Sequence, residues 1–332
     1  MKAKILNLLS DERLGGVKTS LGSLIASHLE AQFEFAIAPL QRAKSSLRNW
    51  QPDIIIVHDA CSWRILPHLL ALKFLKGRTK LVIQDHHYSS AFEQLKVPAP
   101  GRFRLMLRLC HWCVDRTLLV SYSQSAWMKK HKLVRPKKLT VIQQSLNCDR
   151  FLSIPPKPIQ KPLTFAACGR FDGQKGFDIL LQSVSLIPHV DFRLLIAGYG
   201  SDEAELRRLA AGNPKVQFVG TVKDMPAFLS NCDAVIIPSR WEPWGNVCLE
   251  AKAAGKPVIV SAVDGLVEQV QNCGLLVPPE DPQALAQAIA QVCEMPSAEL
   301  SGWGIQGRES AIDAWDEHLT AWEALLCQLL ES

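Results

Sequence analysis

The stretch "SRWEPWGNVCLEAKAAGKPVIVS", residues 239 to 261, sets Glu242 and Glu250 eight positions apart on either side of a helix start at Gly245. The apolar run Ala234–Ile237 before it reads as a buried strand, and Pro257 to Val260 opens the next one. Two carboxylates so placed can form an acid–base couple. Alternatively each can meet whatever lies above the sheet. A second stretch, "CGRFDGQKGFDILLQS", residues 168 to 183, puts Arg170 directly off a strand and Lys175 in the turn before a helix. Two cations at one strand-to-helix turn can neutralise a diphosphate. Plainer readings stand beside these. Glu242 can cap a helix, Glu250 can be a solvated helix residue, and Trp241 and Trp244 read as loop anchors.

Other motifs are weaker. Gly15-Gly16-Val17-Lys18-Thr19 lacks the glycine spacing of a phosphate loop, which excludes that ATPase class. It leaves a glycine turn ahead of a helix, where a backbone can approach an anionic ligand. Gly198-Tyr199-Gly200 follows a strand but lacks the third glycine of a dinucleotide fingerprint. Cys110 and Cys113 have metal or redox spacing, yet they sit in a helical stretch, 102–114, with no second pair. No Asp-x-Asp pair occurs. His86 and His87 follow an apolar run and are candidates for a ligand or for turn polar groups, as is His58-Asp59.

These groups must be positioned by a chain of 332 residues, 48% hydrophobic and 21% charged, which is long enough for two domains. No apolar run has spanning length. Lys2 to Leu9, followed by Asp11-Glu12-Arg13, reads as a first strand rather than a leader, so a cytoplasmic protein is expected. Ten scattered cysteines fit a reducing compartment.

The net charge of +5 conceals a partition. Residues 1–160 hold 25 lysines and arginines against 10 acidic residues, and 161–332 hold 12 against 22. The excess is densest over 101–138, with ten cations against Asp115 alone. Two readings are open for this segment. One is a solvated face with favourable contact to the acidic second half. The other is contact with an anionic membrane or a phosphate-bearing acceptor through Arg102, Arg104 and Arg108 beside Phe103, Leu105 and Leu109. No nucleic-acid-reading module is present.

Short Val/Ile/Leu runs alternate with helical patterns at 5–9, 54–57, 81–83 and 117–120, as in a parallel sheet covered on both faces. A proline-rich break follows at Ser153 to Pro158. The pattern then restarts at 163–167, 193–197, 216–219, 234–237 and 258–261. The expectation is an α/β chain of two doubly wound, Rossmann-like domains, 1–155 and 160–310, with ligands at the strands' carboxyl ends. The apolar spacing of 312–330 gives a last helix that joins the first domain.

The segments "GRFDGQKGFDILLQS", "LLIAGYGSDEAELRRLA", "VQFVG" and "IIPSRWEPWGNVCLEAKAAGKPVIVSAVDGLVEQV" resemble the nucleotide-sugar half of GT-B glycosyltransferases, most closely the retaining family 4. The likeness covers nearly all of 163–280. The first half resembles the family more loosely, through Gly15-Gly16, "QDHHYSSAFE" and "QQSLNCDRF". The resemblance implies a ligand cleft between two domains. It implies that Arg170 and Lys175 hold the donor diphosphate, Glu242 the donor sugar and Glu250 the ribose. Gly245, Asn246 and Val247 would offer backbone N–H groups. Gly16 would approach the diphosphate, and His86 would lie near the transferred sugar. Apart from the resemblance, His86, His87, Arg102 and Arg104 are the acceptor-side candidates, the two arginines from the cation density over 101–138. Two departures stand out: Asp264-Gly265 where relatives carry Gly-Gly, and Gln144-Ser145-Leu146-Asn147 where they carry Asn-Gly-x-Asp.

The expected function is retaining transfer of a hexosyl or N-acetylhexosaminyl group from a nucleoside-diphosphate sugar, without a metal or other cofactor. The acceptor would be a glycan or lipid-linked hydroxyl, as in polysaccharide or lipopolysaccharide assembly, at the cytoplasmic face of a membrane. A nucleotide-sugar epimerase or hydrolase on the same fold, and a non-catalytic sugar-nucleotide-binding protein, are the alternatives.

Overall fold

The computed structural model describes residues 2–10 and 15–331, and the Asp11-Glu12-Arg13 segment lies outside the described residues. The chain divides into two compact units: Met1–Asn147 with Trp315–Ser332, and Cys148–Ala314.

In the first unit six strands run parallel. They are β1 (Ala3–Leu8), β2 (Phe33–Ala38), β3 (Ile54–Val57), β4 (Lys80–Asp85), β5 (Arg116–Leu119) and β6 (Leu139–Val141), in the order β2-β1-β3-β4-β5-β6. Side chains alternate across a strand, so each apolar strand feeds two cores. Leu6, Leu8, Ile55, Val57 and Leu81 pack with Leu69 and Leu107 of the helices Leu66–Leu75 and Pro100–Cys113. Ile5, Ile54, Ile56, Val82 and Leu118 face the other way, toward Trp322 and Leu326 of the last helix, Ala314–Glu331.

The second unit repeats the plan with β7 (Leu163–Arg170), β8 (Phe192–Tyr199), β9 (Val216–Gly220), β10 (Ala234–Ile237), β11 (Val258–Ser261) and β12 (Gly274–Val277). The order is β12-β11-β10-β7-β8-β9, again all parallel. The fold is therefore two six-stranded, doubly wound α/β sheets. The order reverses between β7 and β10. Helices leaving those neighbours diverge to opposite faces and open a crevice at the carboxyl ends.

Three strands go beyond the sequence reading, namely β2, β6 and β12. All three are sheet edges. An edge strand is only partly buried, and the patterns of β6 and β12 contain one fully buried residue between them. The continuous apolar signal of a central strand is therefore missing. The Gly15-Gly16 pair also differs from expectation. It forms the first turn of a helix, Gly15–Ile25, rather than a turn ahead of one.

Trp322 is 1% exposed and fills the space between the last helix and the β1–β3–β4 face. Trp322→Ala should lower the stability of the first unit by about 3–5 kcal/mol, read from urea unfolding. A loss below about 1 kcal/mol would show that the last helix is not part of that core.

Candidate functional site

At the β7–β10 crevice the backbone dictates much of the arrangement. Gly176 has φ 64, and a Cβ there would lie 2.1 Å from the Pro238 carbonyl oxygen. Only glycine lets the helix Phe177–Leu186 start this close to the exit of β10. The stem of Lys175 lies across Gly169, 3.3 Å from where a Cβ would sit. Its ammonium then reaches the Glu242 carboxylate, and the two form an ion pair with side chains 18% and 11% exposed. Ser239 Oγ donates to the same carboxylate oxygen at 3.4 Å. The two residues that the sequence reading assigned to diphosphate and sugar thus hold each other. Arg170, at the end of β7, is more exposed and lies 3.6 Å from Asp172.

The helix Asn246–Ala253 starts at Gly245, φ 98, with no side-chain cap. The cap position itself therefore offers the N-terminal N–H groups no side-chain acceptor. The helix is buried all round except at Asn246, Val247 and Glu250. Asn246 and Glu250 are one turn apart, so the open strip is a single face. The Glu250 carboxylate has no hydrogen bond or ion pair among the described residues, and its backbone carbonyl accepts the helical bond from the Ala254 N–H. Desolvation by the surrounding protein raises its pKa from 4.5 to about 7, although the residue keeps partial solvent access. A carboxylate that has lost water without gaining a donor is a ready acceptor for ligand hydroxyls.

A clamp that the sequence reading missed fixes the two loops. Arg240 donates to Asp178 through both terminal nitrogens, at 2.8 and 2.7 Å, to Glu280 at 2.9 Å and to the Gly173 carbonyl at 2.9 Å. Its own N–H donates to Gln174 O at 2.8 Å, and Gln174 Nε2 donates to Trp241 O at 3.1 Å. The Lys175 turn and the Glu242 turn are thereby one piece. Burial alone would raise Asp178, but the Arg240 guanidinium holds its pKa below the usual range. Trp241 and Trp244 are buried, as loop anchors would be. Asp264 sits in the left-handed region, φ 41. Its carboxylate accepts the Glu242 N–H at 3.1 Å, which gives that conformation a local purpose.

In the first unit His86 leaves the end of β4 with both ring nitrogens engaged. Nδ1 lies 2.8 Å from Gln144 Oε1, and Nε2 lies 3.2 Å from His58 Nδ1. His58 Nε2 meets the Asn7 amide at 3.0 Å. Burial pushes His58 down to about 3 and holds His86 well below its usual range, so both rings are neutral. With Nδ1–H donated to Gln144, His86 Nε2 accepts from His58. The chain is then completed when Asn7 turns its otherwise unpartnered NH2 group to His58 Nε2. The rings border a cavity with room for about one water, lined also by Gln84, His318 and Trp322. His87 Nε2 meets the His58 carbonyl at 3.0 Å.

Gly16 lies in the first turn of the helix Gly15–Ile25. Arg104 turns inward and donates to Glu93 at 2.6 and 3.2 Å. Arg102 points outward, its guanidinium 5.8 Å from the centre of the Trp63 ring. Arg102 and Arg104 therefore do not share a surface. Cys110 and Cys113 are buried free thiols. Among the described residues no group of three His, Cys, Asp or Glu side chains is placed to hold a metal ion.

Comparison with known proteins adds two family matches. Residues 162–295 match the model described as glycosyl transferases group 1, and residues 22–150 match that described as glycosyltransferase family 4. Glycogen synthase of Mycobacterium tuberculosis is 27% identical over 266 residues, covering 76% of this chain and 62% of that protein. The chain thus spans less than two thirds of that relative. Sucrose-phosphate synthase from Thermosynechococcus elongatus superposes with a TM-score of 0.81 at 20% identity, covering 99% of this chain and 100% of the other. Anabaena Alr3699/HepE, solved in complex with UDP and glucose, superposes with a TM-score of 0.77 at 18% identity, covering 97% and 99%. These likenesses identify the fold as GT-B.

Because the folded-state pKa of Glu250 is raised, its contribution favours the folded chain below the ordinary carboxylate range and is lost as pH rises through about 7. Glu250→Gln removes that loss. The variant should gain up to about 2 kcal/mol on the wild type between pH 5 and 8, measured by thermal or urea unfolding without ligand. A pH-independent difference would show that Glu250 is ordinarily solvated.

Proposed function

Since the chain belongs to the group 1 glycosyl transferases of family 4, we propose that it moves a glycosyl group from a nucleoside-diphosphate sugar to a hydroxyl of a glycan or lipid-linked acceptor. The observation that carries this reading is the open face of the helix Asn246–Ala253, with desolvated Glu250 at one end and the Lys175–Glu242 pair beside its start. Acceptor carboxylates with a cation and helix-start N–H groups suit a ligand that carries both hydroxyls and an anion. That relatives of the same fold were solved with UDP and glucose, and with ADP and acarbose, supports a nucleotide as that ligand.

In this reading Lys175 and Arg170 take the diphosphate, aided by N–H groups of Gly245, Asn246 and Val247. Glu250 accepts from the ribose hydroxyls. Glu242, released by Lys175, accepts from the sugar. The bond between the anomeric carbon and the diphosphate oxygen breaks, and the acceptor oxygen bonds to that carbon on the same face. The acceptor's proton passes to the departing diphosphate, so configuration is retained. Fixed positive groups stabilise the leaving charge, and the scheme calls on no metal ion. Gly16, His86 and His87 are assigned to the first unit's share of substrate handling. His86 meets a ligand only by exchanging Gln144 or His58.

A panel of UDP, GDP, ADP and their sugars tests the reading by thermal shift, since a ligand of the folded state stabilises it by mass action. One nucleotide class should raise the melting temperature, and its sugar should be consumed only with an acceptor hydroxyl present. Consumption in acceptor-free buffer at the same rate would point to a hydrolase or epimerase instead. No shift with any member would overturn the reading.

The Lys175–Glu242 pair gives a sharper outcome. The diphosphate must compete with Glu242 for Lys175. Glu242→Gln should tighten binding of the nucleoside diphosphate by about threefold to tenfold, while transfer falls by about a hundredfold through the lost sugar contact. Calorimetry with the diphosphate and a transfer assay read the two effects. Weaker diphosphate binding would contradict the competition.

A further inference from the structure

The helix Pro100–Cys113 is apolar on both sides. Met106, Leu107, Cys110 and Cys113 face the core. Leu105, Leu109 and Trp112 are 48%, 36% and 47% exposed and recur at one-turn spacing, so they form an outward stripe. The adjacent helix Leu66–Leu75 adds Phe74 at 75% exposure, the largest value among the exposed large hydrophobics described. Cations sit among these side chains. Lys73 Nζ lies 4.1 Å from the Trp112 ring centre and donates to the Trp112 carbonyl at 3.2 Å. Arg102 lies over Trp63. Arg108 donates to the carbonyls of His131 and Lys132, at 2.9 and 3.3 Å. Its charge meets no carboxylate in these contacts. Lys132, Arg135 and Lys137 are exposed nearby in sequence, and Asp115, the one acidic residue of 101–138, is spent on Lys76 at 2.7 Å.

We propose that this face docks on an anionic phospholipid surface, with Phe74, Leu105, Leu109 and Trp112 entering the headgroup boundary and the surrounding cations holding lipid phosphates. The charge selects the occupant. A second copy docked through the same face would bring like charge against like charge. A nucleic acid would leave three aliphatic or aromatic side chains of one stripe without an apolar partner. An anionic bilayer meets both the cations and the apolar stripe. The face differs from the one the sequence suggested. Arg104 and Phe103 turn away from it, to Glu93 and to Tyr88 and Phe92, and aromatic and aliphatic groups take their place.

The proposal deepens the transferase reading in one respect, by placing the acceptor at a lipid surface. Vesicle binding needs neither donor nor turnover, so the two readings fail independently. Flotation of the full chain with phosphatidylglycerol–phosphatidylcholine vesicles, and with phosphatidylcholine alone, supplies the test. Binding should require the anionic lipid. Arg108→Glu should weaken it by more than about fivefold, the effect of one cation lost near a charged surface. Leu105→Asp with Leu109→Asp should weaken it by at least about tenfold. Both variants should keep the wild-type melting temperature, because the replaced side chains are exposed. Should the double variant fail to fold, Arg108→Glu and the salt dependence of wild-type binding remain as tests. Absence of binding to anionic vesicles would overturn the proposal. So would binding indifferent to these substitutions, or a concentration-dependent dimer that Leu109→Asp dissolves.

Discussion

Lys175 and Glu242 come from turns at the ends of two neighbouring strands, and their ion pair exists only because the sheet reverses its order there. Helices leaving β7 and β10 go to opposite faces, which leaves the carboxyl ends uncovered. Gly176 against Pro238, and the Arg240 clamp on Gly173, Gln174 and Asp178, then close the two turns on each other. Burying two charges is tolerated when they are paired. The pair in turn leaves neither the ammonium nor the carboxylate buried alone.

Two carboxylates in one turn have divergent properties for this reason. Glu242 is neutralised by a cation and supported by Ser239. Glu250, one turn into the helix Asn246–Ala253, has only desolvation, which carries its pKa to about 7. An acid–base couple would need the two close together and aimed at one atom. The structure instead gives one a cation and the other an open helix face, so they suit separate contacts along an extended ligand.

The sequence made the central strands legible because burial on both faces leaves nothing but Val, Ile and Leu to read, as in Ile54–Val57. Edge strands escaped for the converse reason. In β2 the outward Glu34 interrupts the run, and β6 has three half-exposed residues. The E-x7-E spacing was legible because it is local. The Arg240 clamp was not, since Asp178 and Glu280 lie 62 and 40 positions away and no periodicity links them. Arg102 and Arg104 do not lie on one face of their helix. Two positions on a helix are about 200° apart, and the structure sends one outward and the other to Glu93. The His58–His86 chain needed the fold, because β1, β3, β4 and the segment after β6 each contribute one member.

In the proposed reaction a nucleotide sugar replaces the Lys175–Glu242 contact. A crystal structure of the chain with a bound nucleoside-diphosphate sugar tests this directly. It should show Lys175 on a diphosphate oxygen, Glu242 accepting from the sugar and Glu250 from the ribose, with the open face of the helix Asn246–Ala253 covered. A nucleotide bound elsewhere, or bound here with the Lys175–Glu242 pair intact, would contradict it.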